Sequence, residues 1–269
     1  MSSLSAAVVH GPTRPARVVA GSRLGCYLLV DPPADGATRC VTVLPVLTAA
    51  ALALPTAVRL PDDALPALEV GDRVEVGAGR ICALGWDLEV VRTFRPARVR
   101  SRAPHPTAAS TDGSGHDLGP KSRQEPSVGD GGGATTVLRG LLETRLGLGP
   151  GLTPEADDEI AGHLLVAAGR GARVPDLEPH LHRTTALSAS LLCAAAQGYA
   201  VPAVVGYVDA VLDQDHLTAA RLRPTVEAIG HTSGPALVRG ILAAAGADVL
   251  APAPPLATSA QVFTERTVA

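Results

Sequence analysis

Asp157 and Asp158 stand directly behind Gly147-Leu148-Gly149-Pro150-Gly151-Leu152-Thr153-Pro154, and an apolar-periodic segment follows at once. Carboxylates in such a place can orient a substrate, hold a cation or move a proton. The glycines and prolines ahead of them read as a loop feeding a helix N-terminus, where free N–H groups and the helix dipole favour an anion. Thr153 is the expected N-cap and Pro154 the first helical residue, since a proline there sacrifices no hydrogen bond. Gly149, Gly151 and Thr153 are therefore candidate substrate contacts, and Asp157 and Asp158 candidate catalytic groups. Acidic residues in a first turn also serve the dipole alone. Here the spacing argues for more. At helical periodicity Asp157 shares a face with Ile160, Ala161 and Leu164, and Asp158 lies beside Ala161 and Leu165, while Glu155, Glu159, His163 and Arg170 fall on the other side, expected in solvent.

Ile229-Gly230-His231-Thr232-Ser233-Gly234-Pro235 repeats the logic of that loop. Ser233 or Gly234 is the expected cap and Pro235 the first helical residue, which leaves N–H groups for an anion. His231 is a candidate proton-transfer group, and Gly230, Thr232, Ser233 and Gly234 are candidate substrate contacts; a loop histidine satisfied by backbone is the alternative. A third helix start, Arg183-Thr184-Thr185-Ala186-Leu187-Ser188, offers Thr184 and Ser188 as polar contacts and Arg183 as a bidentate partner for carboxylate or phosphate. His180 and His182 alternate and would point to different sides of a helix, so a metal pair is not expected. No Ser-His-Asp order, Walker lysine or dinucleotide fingerprint is present.

Around these motifs the second half reads as helices over Thr136–Leu146, Pro154–Arg170, Thr185–Gln197, Val204–Leu212, His216–Ile229, bent or broken near Pro224, and Pro235–Gly246. The first hundred residues read as short strands: Arg17–Ala20, Cys26–Val30, Cys40–Val46, Ala57–Leu60, Arg73–Val76, Arg80–Leu84 and Leu88–Phe94. Turn signals such as Asp35-Gly36 and Gly71-Asp72 separate them, and Ala49–Leu54 reads as a short helix. The expected fold class is α+β, a small β-barrel or sandwich followed by a helical bundle. The expected domains are a β-rich unit over 1–100, a Gly/Ser/Pro-rich linker over 101–134 containing His105 and His116, a helical unit over 135–250 carrying the site, and a tail over 251–269.

Composition limits the function classes. The chain has 269 residues, 46% hydrophobic and 18% charged, with a net charge of −3. That balance, and a single lysine at Lys121, provides no basic footprint for nucleic acid or anionic lipid. Aromatics make up 2%, too few for base-stacking platforms. No signal peptide and no run of about 18 apolar residues is visible, so a cytoplasmic protein is expected. Cys26, Cys40, Cys82 and Cys193 are widely spaced, as expected of reduced, mostly buried thiols, and no metal site is expected.

Three motifs, Gly149-Pro150-Gly151-Leu152-Thr153-Pro154 with Asp157-Asp158, the Thr184-Thr185 to Ser188 region, and Gly230-His231-Thr232-Ser233-Gly234, together resemble the AllH-like family. The similarity extends weakly into the first half through Leu54-Pro55-Thr56-Ala57-Val58 and Val70-Gly71-Asp72-Arg73-Val74. The namesake of that family is a subunit of bacterial oxamate carbamoyltransferase, an enzyme of anaerobic allantoin breakdown. The resemblance implies carbamoyl-transfer chemistry on a small nitrogenous or carboxylate metabolite, carbamoyl phosphate as co-substrate, and partner subunits resembling FdrA and AllG. A non-catalytic subunit that binds a small anion, or a structural subunit of a hetero-oligomer, is the alternative. The chain departs from the family motif at Glu155-Ala156, where a small residue and glycine are usual, and at Pro235-Ala236, where an acidic residue is usual.

Overall fold

The computed structural model describes residues 1–33, 42–61, 65, 67–102 and 131–246. The Asp35-Gly36 turn, Cys40, His105, His116, Lys121 and the expected tail lie outside the described residues, as does the expected linker apart from its two ends.

Alternation of apolar and polar residues builds the first half. Strands β1 (Arg14–Ser22), β2 (Gly25–Val30), β3 (Thr42–Thr48), β4 (Val58–Leu60), β5 (Arg73–Gly77), β6 (Arg80–Ala83) and β7 (Trp86–Glu89) form one sheet in the order β4-β3-β2-β1-β5-β6-β7. Only β3 and β4 run parallel; every other pair is antiparallel. In β5, Val74 and Val76 point into the core while Arg73 and Glu75 point out, the period of two that a one-sided sheet requires. The sheet curls into a half-barrel rather than closing into a barrel or splitting into a sandwich, with β4 and β7 at its two edges. Its concave core is lined by Val18, Leu28, Leu44, Val46, Val76 and Ile81, and a short helix α1 (Ala6–Val9), preceded by a 3-10 turn, packs Val9 into it.

Ala49–Leu54 is not a helix. Its carbonyls turn instead onto the Arg59 guanidinium, which donates to Ala49, Ala51 and Leu52 at 2.6, 2.9 and 3.2 Å. An ionic donor outcompetes one short turn of helix, whose nucleation is costly. Cys26 is buried and burial pushes its thiol up to about 11, whereas Cys82 and Cys193 are half-buried; none of the three is in a disulfide.

The second half contains α2 (Gly131–Thr144), α3 (Glu155–Arg170), α4 (Ala186–Ala196), α5 (Pro202–Leu212), α6 (His216–Glu227) and α7 (Ser233–Ala245). These surround a second core of Leu142, Ile160, Leu164, Leu192, Tyr207, Val208 and Ile241. Helix α6 continues past Pro224 because Val226 beyond it is anchored in that core and the Pro224 carbonyl accepts from Ala228 at 3.0 Å. Gly171 and Gly246 end α3 and α7 in the left-handed conformation that glycine adopts without strain.

Helix α3 is buried on both sides. A Cβ on Gly162 would lie 2.7 Å from the Ile241 nitrogen of α7, and one on Gly240 would overlap the Glu159 carbonyl of α3. These two glycines let the helix backbones touch. The face expected in solvent is therefore covered in part: His163 is buried, Glu155 pairs with Arg239 of α7 and Glu159 with Arg145, while Arg170 is exposed as expected.

Candidate functional site

Close contact between α3 and α7 brings their N-termini together, and with them the two glycine loops. The Thr153 and Ser233 hydroxyl oxygens lie 3.1 Å apart, directly linking loops eighty residues distant in sequence. This contact replaces the expected capping. Pro154, not Thr153, is the N-cap of α3, and it makes no side-chain cap bond. Thr232 occupies the same position before α7, which begins at Ser233 rather than Pro235. Both hydroxyls are spent across the loop junction instead of on their own helices.

The two carboxylates behind this junction have different surroundings. Asp157 is 1% exposed and accepts from the Gly147 N–H at 2.7 Å, from the Ser188 hydroxyl at 2.6 Å and from the Thr184 hydroxyl. It thereby knots the glycine loop, the start of α4 and α3 into one piece, and both of its oxygens are occupied. Thr185 strengthens the knot, donating to the Leu152 carbonyl at 2.5 Å and accepting from the Ser188 N–H as the N-cap of α4.

Asp158 is 9% exposed, and its Oδ2 has no hydrogen-bond partner among the described residues. Burial raises its carboxyl from the ordinary 3.8 to about 6, opposed by the neighbouring Ser233 hydroxyl, assisted by the charge of Asp157, and opposed again by Thr153. Both hydroxyls act as hydrogen-bond donors toward the carboxyl and so hold its pKa down, while Oδ2 itself has no partner at hydrogen-bonding geometry among the described residues. Asp158 thus sits where the two loops meet, ionisable near neutral pH and with an open acceptor. Thr48 and Thr56, in the sheet half, also have unpartnered buried side-chain oxygens, but those are neutral hydroxyls.

The remaining predicted residues are distributed less simply. Gly149 and Gly151 are exposed on the loop with φ of 124° and 96°, in the region that glycine tolerates. A Cβ on Gly149 would come within 2.8 Å of the Glu155 nitrogen, so this glycine lets the loop lie on the end of α3. The loop also supplies its own acceptor there: the Leu148 carbonyl takes the Ala156 N–H at 3.1 Å. At α7, Ile229 and Thr232 carbonyls take the Gly234 and Ala236 N–H groups at 2.8 and 3.1 Å. Gly234 is buried because a Cβ would strike the Val226 and Glu227 carbonyls of α6. Gly230 turns the chain with φ of 61°, and His231 and Thr232 are exposed beside it.

Arg183 is turned away from the junction. Its guanidinium donates to the Leu142 and Glu143 carbonyls, both at 2.9 Å, and so closes the C-terminus of α2. His163 is the titratable group that periodicity misplaced. Burial lowers the pKa of its imidazole, with Glu159 raising it and Arg145 lowering it further. The signal available in the sequence was Gly162 and Gly240, small residues at a crossing, but their pairing depends on the tertiary fold.

Among the described residues no group of three His, Cys, Asp or Glu side chains is arranged to hold a metal ion, and no helix is long and apolar enough to cross a membrane. No curated protein and no solved structure matches the chain. Residues 145–245, which run from just before the glycine loop to the end of α7, match the family model of oxamate carbamoyltransferase subunit AllH, the family that the loop motifs resemble.

Proposed function

We propose that this chain is a subunit of a carbamoyl-transferring enzyme and that the junction of α3 and α7 holds its small metabolite. One observation carries the reading: the segment that matches the family spans both glycine loops, and Thr153 and Ser233 join those loops at 3.1 Å. Carbamoyl phosphate is the donor. The acceptor's nitrogen attacks the carbamoyl carbon, a C–N bond forms, the C–O bond to phosphate breaks, and the nitrogen releases one proton. Backbone at Gly149, Gly151, Gly230 and Thr232 meets substrate oxygens at the exposed rim, as stabilisation of developing negative charge requires. Exposed His231 takes the released proton where exchange with solvent is open. Asp157 is a positioning residue, because its oxygens are already engaged by Gly147, Thr184 and Ser188. Subunits resembling FdrA and AllG complete the assembly.

The test is reconstitution. The purified chain, mixed with such subunits, carbamoyl phosphate and oxamate, is expected to release phosphate at a rate that drops at least tenfold in His231→Ala without a change in melting temperature. A second reading, a binding subunit without chemistry of its own, is favoured by the Leu148 carbonyl, which occupies an N–H that would otherwise serve a transferring phosphate. Under that reading His231→Ala leaves turnover unchanged.

A further inference from the structure

At the end of α3 away from the glycine loops, a cavity of about 260 Å³ lies between residues 98–101 and the C-termini of α3 and α4. It opens to solvent at Arg98, Gly171 and Gln197. With 16 residues in α3, this is about 24 Å from the loop junction. Arg98 is held at its rim. The Arg98 Nε donates to the Gln197 carbonyl at 2.9 Å, and its guanidinium carbon lies 5.3 Å from the centre of the Tyr199 ring. Its neighbour Val99 donates its N–H to the Gly198 carbonyl at 2.9 Å. Gly198, with φ of 83°, makes room for the arginine, since a Cβ there would come within 3.5 Å of Arg98 Cγ. Stacking and one hydrogen bond thus orient the guanidinium without using its terminal nitrogens, which have no partner among the described residues. Arg100 and Arg102, which follow it, are both paired with Asp209 and Asp213, whereas Arg98 has no carboxylate there.

The charge around the cavity decides what it would take. Each helix C-terminus carries about half a negative charge, so the ends of α3 and α4 together balance the one guanidinium. A simple anion or a simple cation meets no net attraction there. A ligand with both charges a short distance apart meets a partner for each. The Gly171 and Ala196 carbonyls at the cavity edge accept no hydrogen bond among the described residues, and Val99 and Ala172 supply apolar wall. We infer that this cavity binds a free α-amino acid as its zwitterion. The carboxylate meets the terminal nitrogens of Arg98, the ammonium meets the carbonyl ends of α3 and α4, and a small apolar side chain rests against Val99 and Ala172. The site is separate from the α3–α7 junction and does not depend on the carbamoyl-transfer reading. Its occupant would tie residues 98–101 to both helices.

L-Valine, isovalerate and isobutylamine test this, because the second lacks the ammonium of the first and the third lacks its carboxylate. In nitrogen-15 amide spectra of the full chain near pH 7, valine is expected to shift Val99, Gly171, Ala172 and Gln197 saturably, in the millimolar range or below. The other two compounds are expected to bind about tenfold or more weakly, the cost of one lost charged hydrogen bond. Arg98→Gln is expected to weaken valine by a similar factor, with a cooperative melt confirming the fold. Isovalerate or isobutylamine binding as tightly as valine overturns the inference, because a single charge then suffices. Valine that shifts none of these amides, or shifts them equally in Arg98→Gln, overturns it as well. The comparison of the three compounds uses the parent chain alone, so a failure of Arg98→Gln to fold leaves the test intact.

Discussion

Asp157 and Asp158 are adjacent, similarly buried and chemically identical, yet their surroundings assign them opposite tasks. Asp157 has three donors from three segments, each a hydrogen bond to a charged acceptor. Such bonds contribute about 1.5–3 kcal/mol apiece, and donors left buried without a partner cost more. Asp157→Ala is therefore expected to lose at least about 3 kcal/mol in urea unfolding. A loss below about 1 kcal/mol would show that the knot is not structural. Asp158 behaves in the reverse sense. Its folded carboxyl is raised to about 6 from the ordinary 3.8, so the folded state holds the proton more tightly than the unfolded chain. That contribution to stability is fully present below about pH 4 and is lost as pH rises through about 6. At pH 7.5 the ionised group costs up to about 3 kcal/mol, since each pH unit between the folded and unfolded values is worth about 1.36 kcal/mol. Asp158→Asn should recover much of this at pH 7.5 and gain little at pH 4, measured by denaturant titration at the two values. A gain that does not change with pH would assign it to packing. Buried cost of this kind is what a functional carboxylate carries.

Helices α3 and α7 place these residues, and they do so through glycine. Gly240→Ala would force its Cβ into the Glu159 carbonyl and part the helices, separating Thr153 from Ser233. We expect a loss of about 2 kcal/mol or more together with loss of oxamate binding. Gly140→Ala on α2, where nothing lies within 4 Å of the added Cβ, should gain roughly 0.5–1 kcal/mol and leave binding unchanged. Much at this scale was legible from residue order. The first six strands, the six longer helices and the inward face of Asp157 follow from local period and turn chemistry, whereas the seventh strand lies at Trp86–Glu89 instead of Leu88–Phe94. What was not legible is tertiary. Thr153 and Ser233 read as caps because their mutual partner is across the junction, His163 reads as solvated because only the packed fold buries it, and Arg183 reads as an anion ligand because only the fold shows the α2 carbonyls it meets.

At the scale of the molecule, two apolar cores stand side by side, and the chain between them is fastened to the second. Residues 98–102 lie along the helices: Val99 is buried in their core, its N–H donates to Gly198 at 2.9 Å, and the Arg102 N–H donates to Gly169 at 2.8 Å. Asp209 of α5 anchors this strap, accepting from the Arg100 N–H at 3.0 Å and from the Arg102 guanidinium at 3.1 Å. Asp209→Ala is expected to cost about 1–3 kcal/mol and to speed hydrogen exchange at Arg100 while leaving the sheet amides protected. Uniform acceleration would mean that the two cores unfold as one. We propose that the loops of α3 and α7 form one metabolite site with the buried Asp158 carboxyl at its inner wall. It is tested most directly by the carbon-13 spectrum of aspartate side-chain carboxyls in the full chain, titrated with pH and then with oxamate. One resonance, absent from Asp158→Asn, should titrate near pH 6 and shift saturably as oxamate is added. A spectrum in which the Asp158 carboxyl titrates near pH 4 and ignores oxamate would contradict the account.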